Sequence, residues 1–280
     1  MMSPALGVPL GVILESRIRH FSPDLVLGIG PFHWLPRPVF EMVRAIPGRP
    51  PVIAWVGDTF GEEAAAVANL FDVVAYTDTG LQARHNQFGF RSTSAYVPLA
   101  AVRSTRSRLV AERDRIPSLA FVASESAQRR RLLAQIAEPI ALFGPDWRRA
   151  EGLEHHGRDG RRINQTQLSH VYRSYMGSLN ISNELNVING LNQRHFAPYV
   201  EGAFVVTDMM ADIERCFDLK TEILSYWDAD ELSATQDELR RYPSKGRAIA
   251  NAGRRRVLAN HTYANRLDTL AELVGIGSRC

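Results

Sequence analysis

The polar run Asn189-Gly190-Leu191-Asn192-Gln193-Arg194 is the segment of this chain whose residue types and spacing best fit a chemical task. It follows Ser178-Leu179-Asn180-Ile181, which reads as the end of a strand. It leads through His195-Phe196 into a helix pattern closed by Gly202, and then to the apolar strand pattern Ala203–Thr207. A strand that hands a glycine-containing loop to a helix N-terminus can make an anion site. The first helical turn carries unpartnered N–H groups and about half a positive charge. Arg194 stands at that terminus, and its planar fork suits phosphate. The same spacing also fits an ordinary loop with a capping cluster. Other chemistries are excluded. Gly28-Ile29-Gly30 follows a strand, but position 33 is His33, so the third glycine of a dinucleotide fingerprint is missing and an NAD-dependent oxidoreductase is disfavoured. There is no GxxxxGK[ST] phosphate loop and no GxSxG nucleophile elbow. His155-His156 lies among Glu151, Glu154 and Asp159, but neighbouring histidines point in different directions, so the reading is a solvated loop with no metal.

The elements that must position these residues alternate strictly. Leu10–His20 has helical apolar spacing, and Leu25–Ile29 is a short continuous apolar run, as a buried parallel strand should be. Pro31–Pro38 is a loop holding His33 and Trp34. A helix then runs through Val39 to Ile46, Val52–Val56 is a strand closed by Gly57-Asp58, and Glu62–Leu70 is a helix. Asp72–Tyr76, Leu81–Phe88 and Ser94–Val97 continue as strand, helix, strand. Ala100–Pro117 holds five arginines and few apolar anchors, which reads as a linker. Alternation restarts with the strand Leu119–Val122, the helix Gln128–Ile136 and the strand Ile140–Phe143, which ends at Gly144-Pro145. Glu151–Gln165 reads as a long loop, and from Asp230 to Leu273 the chain is mostly helical. The expectation is an α/β fold of two Rossmann-like parallel-sheet units facing a cleft, residues 1–110 and 111–280. Ligands of such sheets sit at the carboxyl ends of the strands.

Composition narrows the class. The chain has 280 residues, 45% hydrophobic and 22% charged, close to globular averages. It has no apolar stretch of the ~20 residues a membrane span needs. The first ten residues are apolar but lack a basic n-region and a small-x-small cleavage site, so they do not read as a signal peptide. Cys216 and Cys280 are the only cysteines, which fits a reducing cytoplasm. Only Lys220 and Lys245 are lysines, so the remaining 31 of 33 basic residues are arginine, a bias read as codon usage. The triplets Arg129–Arg131 and Arg254–Arg256 sit in helical patterns and read as solvated faces. The net charge of +3 makes no case for nucleic acid.

Residues 174–208 resemble the donor-site core of the CgeB-like spore-maturation glycosyltransferases, a bacterial branch of the group-one, GT-B enzymes. The shared pattern is roughly S-x-x-x-L-N, a loop, R-x-F-E, then G-A/G-F-x-x-T-D. The tail is the more specific match. Glu222-Ile223 and Trp227 to Leu232 resemble E-I-x-x-F-x-D-x-x-E-L. The run Ile249 to Arg266 follows I-A-x-x-G-x-x-R-V-L-x-x-H-T-Y-x-x-R. In the first half, Ser22 to Leu27, Trp55-Val56-Gly57-Asp58 and Phe71 to Val74 resemble the family's acceptor domain. The likeness spans about residues 20 to 275.

The resemblance implies a metal-independent, retaining glycosyltransferase with no cofactor, which takes its sugar from a nucleotide-sugar donor. It places the diphosphate on Asn189, Gly190, Leu191, Asn192, Gln193 and Arg194, near Asn180, with the loop at Gly144 bordering base and ribose. His33, Trp34 and Asp58 would face the acceptor. Trp34 would stack on a sugar ring, and Asp58 or His33 would orient or deprotonate a hydroxyl. The structural alternative for Asp58 is a helix N-cap. Two departures stand out. The family glutamate of R-x-F-E is Ala197 here. Glu201, one helical turn on and displaced by ~6 Å along the axis, is the candidate substitute. The first unit is also short of at least one βα repeat. This exposes a strand edge, to be covered by the helix at residues 10–20 or by a second subunit of a homo-oligomer. These departures keep open a second reading, a non-catalytic nucleotide- or glycan-binding or scaffold subunit of a larger assembly.

Overall fold

The computed structural model describes residues 10–103, 109–183 and 185–277. Along the chain, α1 (Leu10–Phe21) precedes β1 (Val26–Ile29), α2 (Arg37–Ala45), β2 (Val52–Val56), α3 (Ala65–Ala68), β3 (Val73–Tyr76), α4 (Thr79–Gln87) and β4 (Thr93–Tyr96). These strands form a parallel sheet in the order β1-β2-β3-β4. Every residue of β2 and β3 is buried. That is why Val-Ile-Ala-Trp-Val and Val-Val-Ala-Tyr read as unbroken apolar runs. The aromatic side chains Phe32, Tyr76 and Phe90 fill the core beside them.

The chain continues with β5 (Ile116–Val122), α5 (Ala127–Leu133), β6 (Ala141–Phe143), β7 (Gly157–Asp159), α6 (Gln165–Ser174) and β8 (Tyr175–Asn180). Then come α7 (Ala197–Val200), β9 (Phe204–Asp208), β10 (Leu224–Tyr226), α8 (Ala229–Arg241), α9 (Pro243–Asn260) and α10 (Tyr263–Glu272). The second sheet is parallel, six-stranded and ordered β10-β9-β8-β5-β6-β7. Three of its helices start where a side chain satisfies free N–H groups. Ser126 caps α5, Asp228 caps α8, and Asn164 with Gln167 forms a full capping box on α6.

The α/β class with two parallel-sheet units is as expected, but the chain divides differently. One compact unit comprises residues 10–98, 185–190 and 264–277; the other comprises 99–103, 109–183 and 191–263. The boundary expected near residue 110 falls at Pro98/Leu99, because Ala101 pairs its backbone with His261, Thr262 and Tyr263 of the second unit. The last helix returns to the first unit, where Leu270 is fully buried and Arg266 Nε donates to Pro98 O at 2.7 Å.

Three elements differ from expectation. The long loop at 151–165 contains β7, and β10 joins the sheet after β9. Both are three-residue edge strands, too short to show a period. The helix expected over 194–201 is a 3-10 turn, Gln193–His195, followed by the four-residue α7, whose second residue is Pro198. At the start of the chain, α1 packs on α2, and its Ile18 enters the first core. β1 pairs with β2 alone among the described strands.

Candidate functional site

Strand order in the second sheet reverses between β5 and β8. From β5 the chain moves outward through β6 and β7, then returns to the other side of β5 and moves outward through β8, β9 and β10. The loops leaving β5 and β8 therefore part in opposite directions, and open α/β sheets bind ligands at such a point, outside the carboxyl ends. The first sheet runs in sequence order and has no reversal.

Two arginines occupy the reversal point. Arg129, in the first turn of α5, is buried and donates through Nη1 to Ser124 O (2.9 Å) and through Nη2 to Ile181 O (3.1 Å). It thus bridges the ends of β5 and β8. Its guanidinium lies 5.6 Å from the Phe121 ring centroid. Arg194 is half-buried. Its Nε donates to Asn180 Oδ1 at 2.9 Å, and no described residue accepts from its terminal nitrogens. Asp208, at the end of β9, accepts from Ser182 N and Oγ and from Thr207 Oγ1. Burial pushes the Arg129 guanidinium down to about 10, with the charge of Arg194 adding to that push. Burial lowers Arg194 and raises Asp208. Two guanidiniums face one carboxylate whose ionisation burial opposes. The site therefore carries surplus positive charge in a poorly solvated place, which an anion would stabilise.

Behind Arg194 sits His195, fully buried. Its Nδ1 lies 3.2 Å from the carbonyl of Asn192, so Nδ1 carries the proton and Nε2 accepts. Asn180 Nδ2 (3.2 Å) and Thr207 Oγ1 (2.9 Å) face Nε2. Burial, with the Arg194 charge, pushes this imidazole down to about 3, against the bond to Asn192 that favours the charged form. The sign follows. Below the ordinary value of ~6.5 the unfolded chain takes up a proton that the folded chain refuses. Stability is then lost as pH falls from ~6.5 towards 3, by at most ~1.4 kcal/mol per pH unit for this group. His85 and His156 are lowered by burial and act in the same sense. Thermal melts between pH ~6.5 and ~4 should show a steady decline, and His195→Gln should flatten it by one proton's worth; an unchanged slope would mean that His195 is protonated in the native state.

The structure sorts the expected site residues. Asn180 is buried and is the hub that orients Arg194. Its Oδ1 accepts from Arg194 and from Asn192 Nδ2, and its Nδ2 donates to Thr207. Asn192 caps the 3-10 turn by accepting from Arg194 N at 2.9 Å. The helix terminus expected to cradle phosphate is therefore corrected. It is a single turn with one amide already capped, and Pro198 supplies no N–H. Leu191 is 1% exposed and belongs to the second core, so its side chain faces no ligand, whereas Gln193 is exposed.

Asn189 and Gly190 belong to the first unit. Asn189 N donates to Asp78 Oδ2 (3.0 Å), Asn189 Nδ2 donates to Thr79 Oγ1 (3.1 Å), and a Cβ on Gly190 would meet Asp78. The backbone and side-chain amides of Asn189 are engaged there. Gly144, at φ +129°, is held by the closing of the β5 and β6 ends, since a Cβ would strike Ala123 O. A cavity of about 440 Å3 opens beside the neighbouring Phe143 and Asp159.

Glu201 is corrected outright. It precedes β9, so it lies at the amino edge of the sheet, with its carboxylate on Arg173 Nη2 at 2.6 Å. There Arg115 gathers the carbonyls of Tyr172, Tyr175 and Glu201. Arg194 and Asn180 are at the other edge, so Glu201 does not replace the carboxylate missing at Ala197.

On the first sheet, His33 and Trp34 follow β1 in a 3-10 turn and Asp58 follows β2. Trp34 is 73% exposed, with its ring edge-on to His33 at 5.8 Å. Asp58 caps no helix; Gly61 precedes the next turn. The His155-His156 pair is not in the solvated loop expected, since His156 is buried. His155 Nε2 bonds to Ile136 O, and His156 bonds to Leu133 O and Ile140 N, closing the end of α5.

Arg129 escaped the sequence reading because its triplet looked solvated. Arg130 and Arg131 are exposed and Arg129 alone turns inward. The available signal was Ser126. A capping serine three residues upstream places Arg129 in the first helical turn, immediately after a strand.

A family model described as glycosyl transferase-like matches residues 126–272, more than half of the chain. No curated protein matches the sequence. Similar solved structures include sucrose-phosphate synthase from Thermosynechococcus elongatus, at 14% identity and a TM-score of 0.66, with 98% of this chain and 81% of that one covered. Anabaena HepE in complex with UDP is similar at 14% identity and a TM-score of 0.68, over 97% of this chain and 84% of that one. A UDP-forming trehalose-phosphate synthase from Burkholderia xenovorans gives 10% identity and a TM-score of 0.62, over 95% and 78%. At such identities the likeness is one of fold.

Proposed function

The chain belongs to the glycosyl transferase-like family, and from that premise we propose that it moves a sugar from a nucleotide-sugar donor to an acceptor hydroxyl. The observation that carries this reading is the pair Arg129 and Arg194 at the β5/β8 reversal, with Asp208 as the one carboxylate in their field. A nucleoside diphosphate supplies the anionic oxygens such a pair lacks, and planar guanidiniums bind them by paired hydrogen bonds. UDP is the first nucleotide to test, because structural neighbours are described with UDP or as UDP-forming.

In the proposed reaction the acceptor oxygen bonds to the anomeric carbon as the bond to the diphosphate breaks. The electron pair leaves on a phosphate oxygen, stabilised by Arg194 and Arg129. The acceptor proton passes to that oxygen from the same face, which gives retention without a metal or cofactor. Asp58, His33 and Trp34 serve the acceptor: Asp58 or His33 orients its hydroxyl and Trp34 stacks on its ring. Within the family we assign the chain to the CgeB-like group on the run Ile249–Arg266, and we place it in a bacterial cytoplasm. A second copy at the free edge of β1 would complete the short first sheet.

Ala197 favours one other reading, a protein that binds the nucleotide sugar without turning it over, because Glu201 is paired at the far edge. A panel of UDP- and GDP-sugars, read first by melting shift and then by hydrolysis, separates the two. A stabilising sugar nucleotide that is also hydrolysed supports the transferase. Stabilisation without hydrolysis supports the binding protein. No shift with any nucleotide sinks both.

A further inference from the structure

The second unit has another opening, at the edge of the sheet opposite the two arginines. A cavity of about 110 Å3 lies where α8 and α9 pass the amino ends of β5, β8 and β9. Leu119, Met176, Phe204, Leu239 and Gly246 form its apolar wall. Gly246 keeps the space open, since a Cβ there would come within 2.7 Å of the Phe204 ring. The charged side chains at the cavity, Glu138 and Arg240, are solvent-exposed and stand 3.7 Å apart. Ser118 uses its hydroxyl on Pro139 O.

Gln236 is the polar exception in this wall. It is 7% exposed, and its Oε1 accepts from no described residue. Buried side-chain amides in folded proteins are almost always hydrogen-bonded. The amide can turn over to present either its oxygen or its NH2 group. A buried water needs two to four polar partners, and this wall offers it little besides one amide.

We propose that this cavity binds a small molecule with an apolar body and a single hydroxyl, an aliphatic alcohol or a phenol. The volume is of the order of the ~150 Å3 cavity that admits benzene, and a hydroxyl both donates and accepts, so it pairs with the amide in either orientation. The site shares β5, β8 and β9 with the arginine pair but sits at their other ends, so its occupant is distinct from donor and acceptor.

The full chain titrated with phenol and with benzene, followed by the NMR signal of the Met176 methyl group, tests this. Phenol should shift the signal saturably and bind about tenfold tighter than benzene, the effect of one added hydrogen bond. Gln236→Met should abolish that preference, and Leu239→Phe should fill the space and weaken both ligands. Nucleotide-sugar melting shifts should stay unchanged in both variants, which separates this proposal from the transferase reading. Equal affinity for the two ligands, no saturable shift with either, or a preference that survives Gln236→Met would overturn it.

Discussion

Arg194→Ala is expected to weaken nucleotide-sugar binding by about 1.5–3 kcal/mol, the value of a hydrogen bond to a charged group. The terminal nitrogens of Arg194 have no acceptor among the described residues, so the loss falls on the ligand and little on the fold. Arg129→Ala removes a second charge but also frees the carbonyls of Ser124 and Ile181, so Arg129→Lys is the cleaner variant. Lysine keeps the charge and loses the fork that spans β5 and β8. The double variant Arg194→Ala/Arg129→Lys should bind more weakly than either single one, with a departure from additivity because the two charges already act on each other. Isothermal titration with UDP and UDP-glucose measures this directly. Unchanged affinity in Arg194→Ala would mean that the phosphate lies elsewhere.

Asp78→Ala is expected to cost the first unit ~2–4 kcal/mol, combining the loss of a helix N-cap with buried N–H groups left unpaired. Asp78 is 1% exposed, and its carboxylate accepts from four backbone amides. Gly80 N (2.7 Å) and Leu81 N (3.3 Å) begin α4. Ile188 N (2.7 Å) and Asn189 N (3.0 Å) arrive from more than a hundred residues downstream. Asp78→Asn keeps one acceptor oxygen and should fall between wild type and alanine. Hydrogen exchange at the Ile188 and Asn189 amides isolates the long-range half of the effect. If those amides stay protected in Asp78→Ala, the segment is held by something else.

Much of the fold was legible because its strands are buried on both faces. Val52–Val56 and Val73–Tyr76 announce themselves without a period, and turn residues such as Gly57-Asp58 bound them. The edge strands β7 and β10 were not legible, since three residues carry too little pattern and β7 has no buried residue. The run Ile249–Arg266, the most specific resemblance, proves to be structural. Ile249, Ala250 and Val257 are buried, and Gly253 lets α9 approach Tyr199 and the Glu222 carbonyl. His261 bonds to Cys216 O.

The site was half legible. Asn180, Asn192 and Arg194 come together as the family resemblance implied. Asn189 and Gly190 are sequence neighbours of that cluster, yet Asp78 holds them in the first unit. No local pattern reveals a partner 111 positions away. Glu201 failed for a similar reason, because helical spacing from Ala197 ignores that α7 ends after four residues.

The first unit is assembled from three separated stretches, 10–98, 185–190 and 264–277. Synthesis delivers the largest of them first, and domains emerging from the ribosome tend to fold in that order. This one cannot finish early. While residues 99–183 are still being made, Asp78 has only the α4 half of its partners, and Pro98 O waits for Arg266. The amino-terminal unit therefore waits for later segments, and a fragment ending at residue 98 holds all four strands of its sheet but lacks residues 185–190 and 264–277. The first unit thus closes only after the second has been made, because its stretch 264–277 follows the last residue of the second unit.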